Sequence, residues 1–232
     1  MADFTNADLE TLAQWDTPTI CNALEIVVPE RRGHGFTTAP FSCLYPDMAP
    51  IVGLARTARI RAAAPADAGR GPGPDRVPYY SYVADGAMPR IVVIEDLDPT
   101  PGIGAFWGEV HTAVHKGLGA LGCVTNGSYR DVADSAPGFQ LLGGMVNPSH
   151  AFVHAVDFGG SVTVHGMQVV HDDVIHADRH GAVVVPAKAV TRIPEAVDLI
   201  ARREAVVLEA ARRPDFSLDA LKAALATASD IH

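Results

Sequence analysis

Gly117-Leu118-Gly119-Ala120-Leu121-Gly122-Cys123-Val124-Thr125-Asn126-Gly127-Ser128-Tyr129-Arg130-Asp131 is the stretch on which the fold turns. Leu121 to Val124 is a short apolar run that reads as a strand, and Asn126-Gly127 is a turn signal. Upstream, the sequence predicts a helix from Gly108 to Lys116, ending at Gly117 or Gly119. Helix, turn and strand form one unit. Its outgoing loop sets Arg130 beside Asp131 at a sheet edge, where open α/β sheets bind ligands.

Outward from that unit the pattern is α/β. Asn6 to Ile26 reads as two short helices broken at Thr17-Pro18, the second starting at Thr17 with Pro18 in its first position. Pro40 to Pro50 reads as irregular. Ile51 to Ala62 reads as a strand with Val52, Leu54, Ala58 and Ile60 on one face and Arg59 and Arg61 on the other. Arg90 to Glu95 is a buried-strand candidate. Further strands are expected at Gln140 to Val146, Phe152 to Val156, Ser161 to Val164, Val169 to Ile175 and Ala182 to Val185. A long helix opens near Pro194 and runs to about Arg212, and a final one spans Leu218 to Ala228 behind a Ser217 cap. The Pro/Gly-rich stretch Ala63 to Pro78 reads as a surface loop within the domain. A single domain over 1–232 is expected, with 191–232 as its C-terminal helical tail.

Composition narrows the function. The 232 residues are 48% hydrophobic and 19% charged, an ordinary globular balance. Asp and Glu number 27 against 18 Lys and Arg, a formal charge of -9, which disfavours nucleic acid as a partner. Cys21, Cys43 and Cys123 are odd in number and widely spaced, so neither a disulfide framework nor a cysteine zinc site is expected. Met1 to Trp15 lacks the apolar core of a signal peptide, and no run is long enough to span a bilayer. The expectation is a cytoplasmic protein with no membrane partner.

The chemistry-bearing residues lie in the opening segment. A helix starting near Gly108 offers unpaired N–H groups and a positive dipole end, a seat for a carboxylate. Asp131 is a hard oxygen ligand suited to Mg²⁺ or Mn²⁺. Arg130 supplies a planar fork for a carboxylate or a developing enolate oxygen. His111 and His115 stand four apart on the predicted helix, a spacing that lets two imidazoles meet one metal, yet no third ligand is evident and packing histidines are the simpler reading. His165, His171, His176 and His180 alternate with strand residues and are expected on different faces, with His180 near Asp178 able to line a pocket.

The run Gly-Glu, helix, Gly-x-x-Gly-x-Val-x-Asn-Gly-x-x-Arg-Asp from Gly108 to Asp131 resembles the RraA-like family, which includes 4-hydroxy-4-methyl-2-oxoglutarate/4-carboxy-4-hydroxy-2-oxoadipate aldolases. Gly166 to Pro186, ending Ala177-Asp178-Arg179-His180-Gly181, Arg203-Glu204, and Thr17 to Leu24 carry the resemblance over most of the chain. It implies a β/β/α swivelling-domain fold with a C-terminal helical extension, a homotrimer or hexamer, and a divalent metal. By the same resemblance Asp131 binds that metal directly, while Glu109, and Glu204 from a neighbouring subunit, do so through water. The backbone of Gly108, Glu109, Val110 and His111 would hold the substrate carboxylate, and Arg130 would stabilise the enolate. The chain departs from the family pattern at His171-Asp172-Asp173, where Pro-Gly-Asp is usual, at Asn22 in place of Asp, and in the Ala63 to Pro78 loop.

The implied activity is a class II-type aldolase cleaving a 4-hydroxy-2-oxo acid to pyruvate, with oxaloacetate decarboxylation as a side reaction. The alternatives are a protein-binding regulator of a ribonuclease and a metal-dependent lyase of another small oxo or hydroxy acid. No nucleotide loop is present: Gly143-Gly144 and Gly159-Gly160 read as turns.

Overall fold

The computed structural model describes residues 4–66 and 76–232. The helices are α1 (Asn6–Leu12), α2 (Thr17–Val27), α3 (Arg76–Ala84), α4 (Glu109–Gly117), α5 (Ile193–Ala211) and α6 (Leu218–Ser229). The strands are β1 (Ser42–Cys43), β2 (Ile51–Arg61), β3 (Arg90–Asp96), β4 (Ala105–Trp107), β5 (Ala120–Thr125), β6 (Ser128–Tyr129) and β7 (Gln140–Gly143). They continue as β8 (Met145–Val146), β9 (His154–Phe158), β10 (Val162–Val164), β11 (Met167–Val169), β12 (Val174–Asp178) and β13 (Gly181–Val185).

The main sheet runs β1-β7-β5-β3-β2-β12-β13, and β9 also pairs with β2. Its centre, β2-β3-β5-β7, is parallel, while β12 and β9 meet the other edge of β2 antiparallel in succession. A small parallel sheet, β4-β6-β8, stands beside it and carries the site.

Strand period explains the layers. On β3, Ile91 and Val93 point into one apolar cluster with Val124, Leu142 and the β10–β11 hairpin, and Val92 and Ile94 into another with Trp107, Cys123 and Phe139. On β13, Val183 and Val185 face α2 and α5, while Ala182 and Val184 face the hairpin side. Strands buried on both faces need near-continuous apolar runs, and these two have them. On β2 the expected period holds, with Ala58 and Ile60 buried and Arg59 and Arg61 on the opposite face, paired to Asp157 and Asp98.

Several expectations need correction. The span Val169 to Ile175 is two strands parted by a turn. Asp172 there has φ 65, and its carboxylate meets the buried Arg56 guanidinium, so the chain cannot run straight through. Gln140 to Val146 breaks at Gly144, and Phe152 to Val156 begins instead at His154. Helix α3 was not expected. Its residues Arg76 to Pro78 fall at the end of the anticipated loop, of which 67–75 lie outside the described residues. Tyr79 and Val83 anchor α3 to the core.

At the other end, α5 opens at Ile193 and α6 is capped by Ser217, whose hydroxyl accepts from Ala220 N–H. Among the described residues no helix is long and apolar enough to cross a membrane. The three cysteines are unpaired.

Candidate active site

Gly108 is the N-cap of α4, in extended backbone, and offers no side-chain cap. The cap comes from across the site: Glu109 N–H donates to Oδ2 of Asp131 at 3.3 Å. Asp131 follows β6, and the β6 register is fixed where Arg130 N–H donates to Trp107 O at 2.9 Å. The small parallel sheet thus carries the end of β4, which leads into α4, next to the end of β6, which leads into Arg130 and Asp131.

Asp131 is held in the left-handed region at φ 54, an uncommon conformation outside glycine that aspartate tolerates better than most residues. Its carbonyl accepts from Asp134 N–H (3.0 Å), Ser135 N–H (2.9 Å) and the Ser135 hydroxyl (2.9 Å). The backbone is fixed on one side and the carboxylate is aimed at the helix on the other. Arg130 Nε lies 3.5 Å from Asp131 Oδ2, and both side chains are 37% exposed. The pair is open to a ligand.

The sequence-predicted residues divide clearly. Gly108, Glu109, Val110, Arg130 and Asp131 come together, with the side chains of Glu109 and Val110 exposed on the first turn of α4. His111 contributes backbone there, but its ring turns inward against Phe106 (centroids 4.4 Å apart) and stacks on His115 at 5.7 Å. His115 Nδ1–H donates to His111 O at 2.6 Å, which leaves Nε2 to accept from the Tyr79 hydroxyl at 2.9 Å. Burial lowers the pKa of both rings to about 4, aided at His111 by the charge of Arg76. They are packing groups under the helix.

Glu204 is not brought to Asp131. It stands on the exposed face of α5, a helix packed on α2 and α6. His176 is buried between Thr17 Oγ1 (3.0 Å) and the carbonyl of Trp15 (3.0 Å). His180 Nδ1 lies 3.1 Å from Asp178 beside a cleft of about 380 Å³ that Trp15 and Asp47 also line.

Two residues were not singled out in the sequence. Thr112 is fully buried, and its hydroxyl sits 3.0 Å from Gly108 O and 2.9 Å from Glu109 O while accepting from Ala136 N–H at 2.9 Å. Ser135 is the other. A threonine or serine bonding back to a carbonyl three or four residues earlier leaves a usable signal, but a common and unspecific one.

Among the described residues, no group of three or more His, Cys, Asp or Glu is close enough to hold a metal within this chain. The donor chemistry still suits a hard cation. Asp131 Oδ1 takes no hydrogen bond among the described residues, and Glu109 opens outward alongside. Mg²⁺ keeps several waters and is commonly bound by only one or two carboxylates.

A sequence profile described as RraA-like: Aldolase/RraA matches residues 8–184. No curated protein matches the chain significantly. Among solved structures, an uncharacterized protein from Pseudomonas syringae pv. tomato is similar with a TM-score of 0.72 at 19% identity, covering 97% of this chain and 95% of that one. RraAS2 of Streptomyces coelicolor, described as an unusual member of the RNase ES inhibitor RraA protein family, gives 0.69 at 18% identity, with 87% and 96% covered. A structure described among novel cellulases from gut-associated microbes gives 0.71 at 14%, with 88% of each chain covered. At such identities the likeness concerns the fold.

Proposed function

The chain belongs to the RraA-like family, and from that premise we propose that it is a divalent-metal-dependent lyase that cleaves a 4-hydroxy-2-oxo acid to pyruvate. The observation that carries this reading is the Asp131 carboxylate 3.3 Å from the first amide of α4, with the Arg130 guanidinium beside it.

The free amides of the first turn, at the positive end of α4, receive the substrate's C1 carboxylate. Arg130 faces the C2 oxygen, where negative charge develops as the C3–C4 bond breaks. As the C4 hydroxyl gives up its proton, C4 becomes the carbonyl carbon of the second product, the electron pair of the broken bond passes to C3 as an enolate, and a proton taken up at C3 yields pyruvate. Pre-aimed charge at a developing oxyanion is commonly the largest catalytic contribution. When bound at Asp131, with Glu109 nearby, Mg²⁺ or Mn²⁺ would supply Lewis-acid polarisation of the 2-oxo group. Oxaloacetate would lose CO₂ through the same enolate.

The lysines support a metal route over a Schiff base. The chain has three. Lys116 donates to Pro137 O at the far end of α4, Lys188 pairs with Glu30 and Lys222 with Asp219. None stands at Arg130. Glu204, exposed on α5, would complete the site of another copy in a homotrimer or hexamer.

The test is pyruvate release from 4-hydroxy-4-methyl-2-oxoglutarate and from oxaloacetate, with Mg²⁺, Mn²⁺ or EDTA, in wild type and Asp131→Asn. Asparagine tolerates the left-handed backbone, so the variant isolates the charge. Metal-dependent pyruvate that Asp131→Asn abolishes is expected. No pyruvate from either compound, in a folded protein, would overturn the reading and favour a protein-binding role such as ribonuclease regulation.

A further inference from the structure

We propose that Thr112 and Ser135 are positioning residues that set the distance between the anion-binding turn of α4 and the carboxylate of Asp131. The proposal rests on the lyase reading for its consequences, but the clamp itself is geometric. The site has two halves with different origins: the first turn of α4, which follows β4, and the 131–136 turn, which follows β6. What joins them behind the open face is buried. The single hydroxyl hydrogen of Thr112 is directed at the carbonyls of Gly108 and Glu109, and its lone pair accepts the N–H of Ala136. One residue back, Ser135 is nearly fully buried and grips the carbonyl of Asp131 through both its N–H and its hydroxyl.

The consequence is a fixed lever. Ala136 is tied to α4 through Thr112, and Ser135 ties the same turn to the peptide of Asp131. The carboxylate therefore reaches Glu109 N–H from a backbone that these bonds hold in its left-handed conformation. Neither hydroxyl faces the open site, so neither is a catalytic residue. Valine at position 112 keeps the shape of threonine and removes both the donor and the acceptor. Removing a partner that orients a metal ligand commonly lowers metal affinity or activity roughly 10–100-fold.

The experiment uses the full chain as Thr112→Val, Thr112→Ser and Ser135→Ala. Three readouts are taken: Mn²⁺ affinity by electron paramagnetic resonance, kcat and KM for pyruvate release, and amide hydrogen exchange over residues 131–136. The expected result for Thr112→Val is faster exchange in that segment, Mn²⁺ affinity and kcat each lowered at least about tenfold, and a smaller change in KM. Thr112→Ser should restore all three to near wild type, a rescue that lost packing alone would not give. Should Thr112→Val fail to fold, Ser135→Ala carries the same test with the same expected directions. Wild-type exchange, Mn²⁺ affinity and kcat in Thr112→Val, or in Ser135→Ala if it stands alone, would overturn the clamp. A wild-type protein that binds no Mn²⁺ and releases no pyruvate would overturn the lyase reading instead, and the exchange measurement would still decide the clamp.

Discussion

The side chain that Gly108 lacks would collide with Asp131: a Cβ at Gly108 would lie 2.5 Å from Oδ2 of the carboxylate and 3.3 Å from Cγ of Arg130. Gly108 is extended, at φ -172, so its backbone suits any residue. What glycine provides here is the close approach of a carboxylate to a helix N-terminus.

Gly108→Ala is therefore expected to fold and to fail at the site. On the lyase reading, Mn²⁺ affinity and pyruvate release should fall at least about tenfold, the range seen when a group that orients a metal ligand is lost, with the melting midpoint little changed. Titration by calorimetry beside a thermal melt checks both. A variant with wild-type metal affinity would show that Asp131 need not stand where it does.

Arg130→Ala should lower kcat for pyruvate release about 10²–10³-fold, the range seen when a preorganised oxyanion donor is removed. Its ion pair with Asp131 is partly exposed, and such pairs contribute at most about 1 kcal/mol, so urea midpoints should hardly move. Loss of stability in step with loss of rate would instead mark Arg130 as structural.

Acid should loosen the support beneath α4. The unfolded chain protonates His111 and His115 near pH 6.5, whereas the folded chain does so only near 4. Their contribution is therefore fully present above about pH 6.5 and is lost as pH falls from there toward 4, on the order of 2 kcal/mol per ring by pH 5. Urea unfolding at pH 7.5 and pH 5 should show this loss in wild type and clearly less of it in His115→Gln. Equal losses in the two proteins would assign the acid sensitivity to groups other than His115, the rings of His165 and His176 among them.

Asp172→Gly separates two effects. Glycine suits φ 65, but the change strips the carboxylate from Arg56, whose side chain is 4% exposed. Loss of a partner to a buried charge should prevail, lowering stability by about 1–3 kcal/mol in a urea melt. A more stable variant would show that the Arg56–Asp172 pair contributes nothing.

What was legible in the sequence followed from regular periods. Ile91 to Ile94 and Ala182 to Val185 are apolar at every position because both faces are buried, and they were found. The Thr17-Pro18 helix start was also evident: Asp16 caps it through Thr19 N–H. The gathering of Gly108, Glu109, Arg130 and Asp131 could be foreseen because a helix, turn and strand in sequence place them together. Helix α3 was hidden because it abuts a Pro/Gly-rich run and because, of its described residues, Tyr79 and Val83 alone are buried, too few to make a stripe. The turn at His171-Asp172 was hidden from the periodicity because Arg56, in a central strand 116 positions before Asp172, holds it, and no local pattern records such a pairing. Thr112 and Ser135 left only an unspecific signal for a related reason, since their acceptors and donors lie in carbonyls and amides rather than in residue types.

One edge of β2 bears on how the chain reaches this state. Leu54 is registered with Val174 and Ala58 with Phe158, so the strand that centres the sheet is completed by segments synthesised long after it. Until they arrive, β2 presents an unpaired apolar edge to its surroundings. Closure over such sequence separations is slow, because the entropy of the intervening loop is lost before the contacts form. Nascent chains of this protein thus pass through a window in which self-association competes with folding, and the width of that window is set by how quickly β9 and β12 dock.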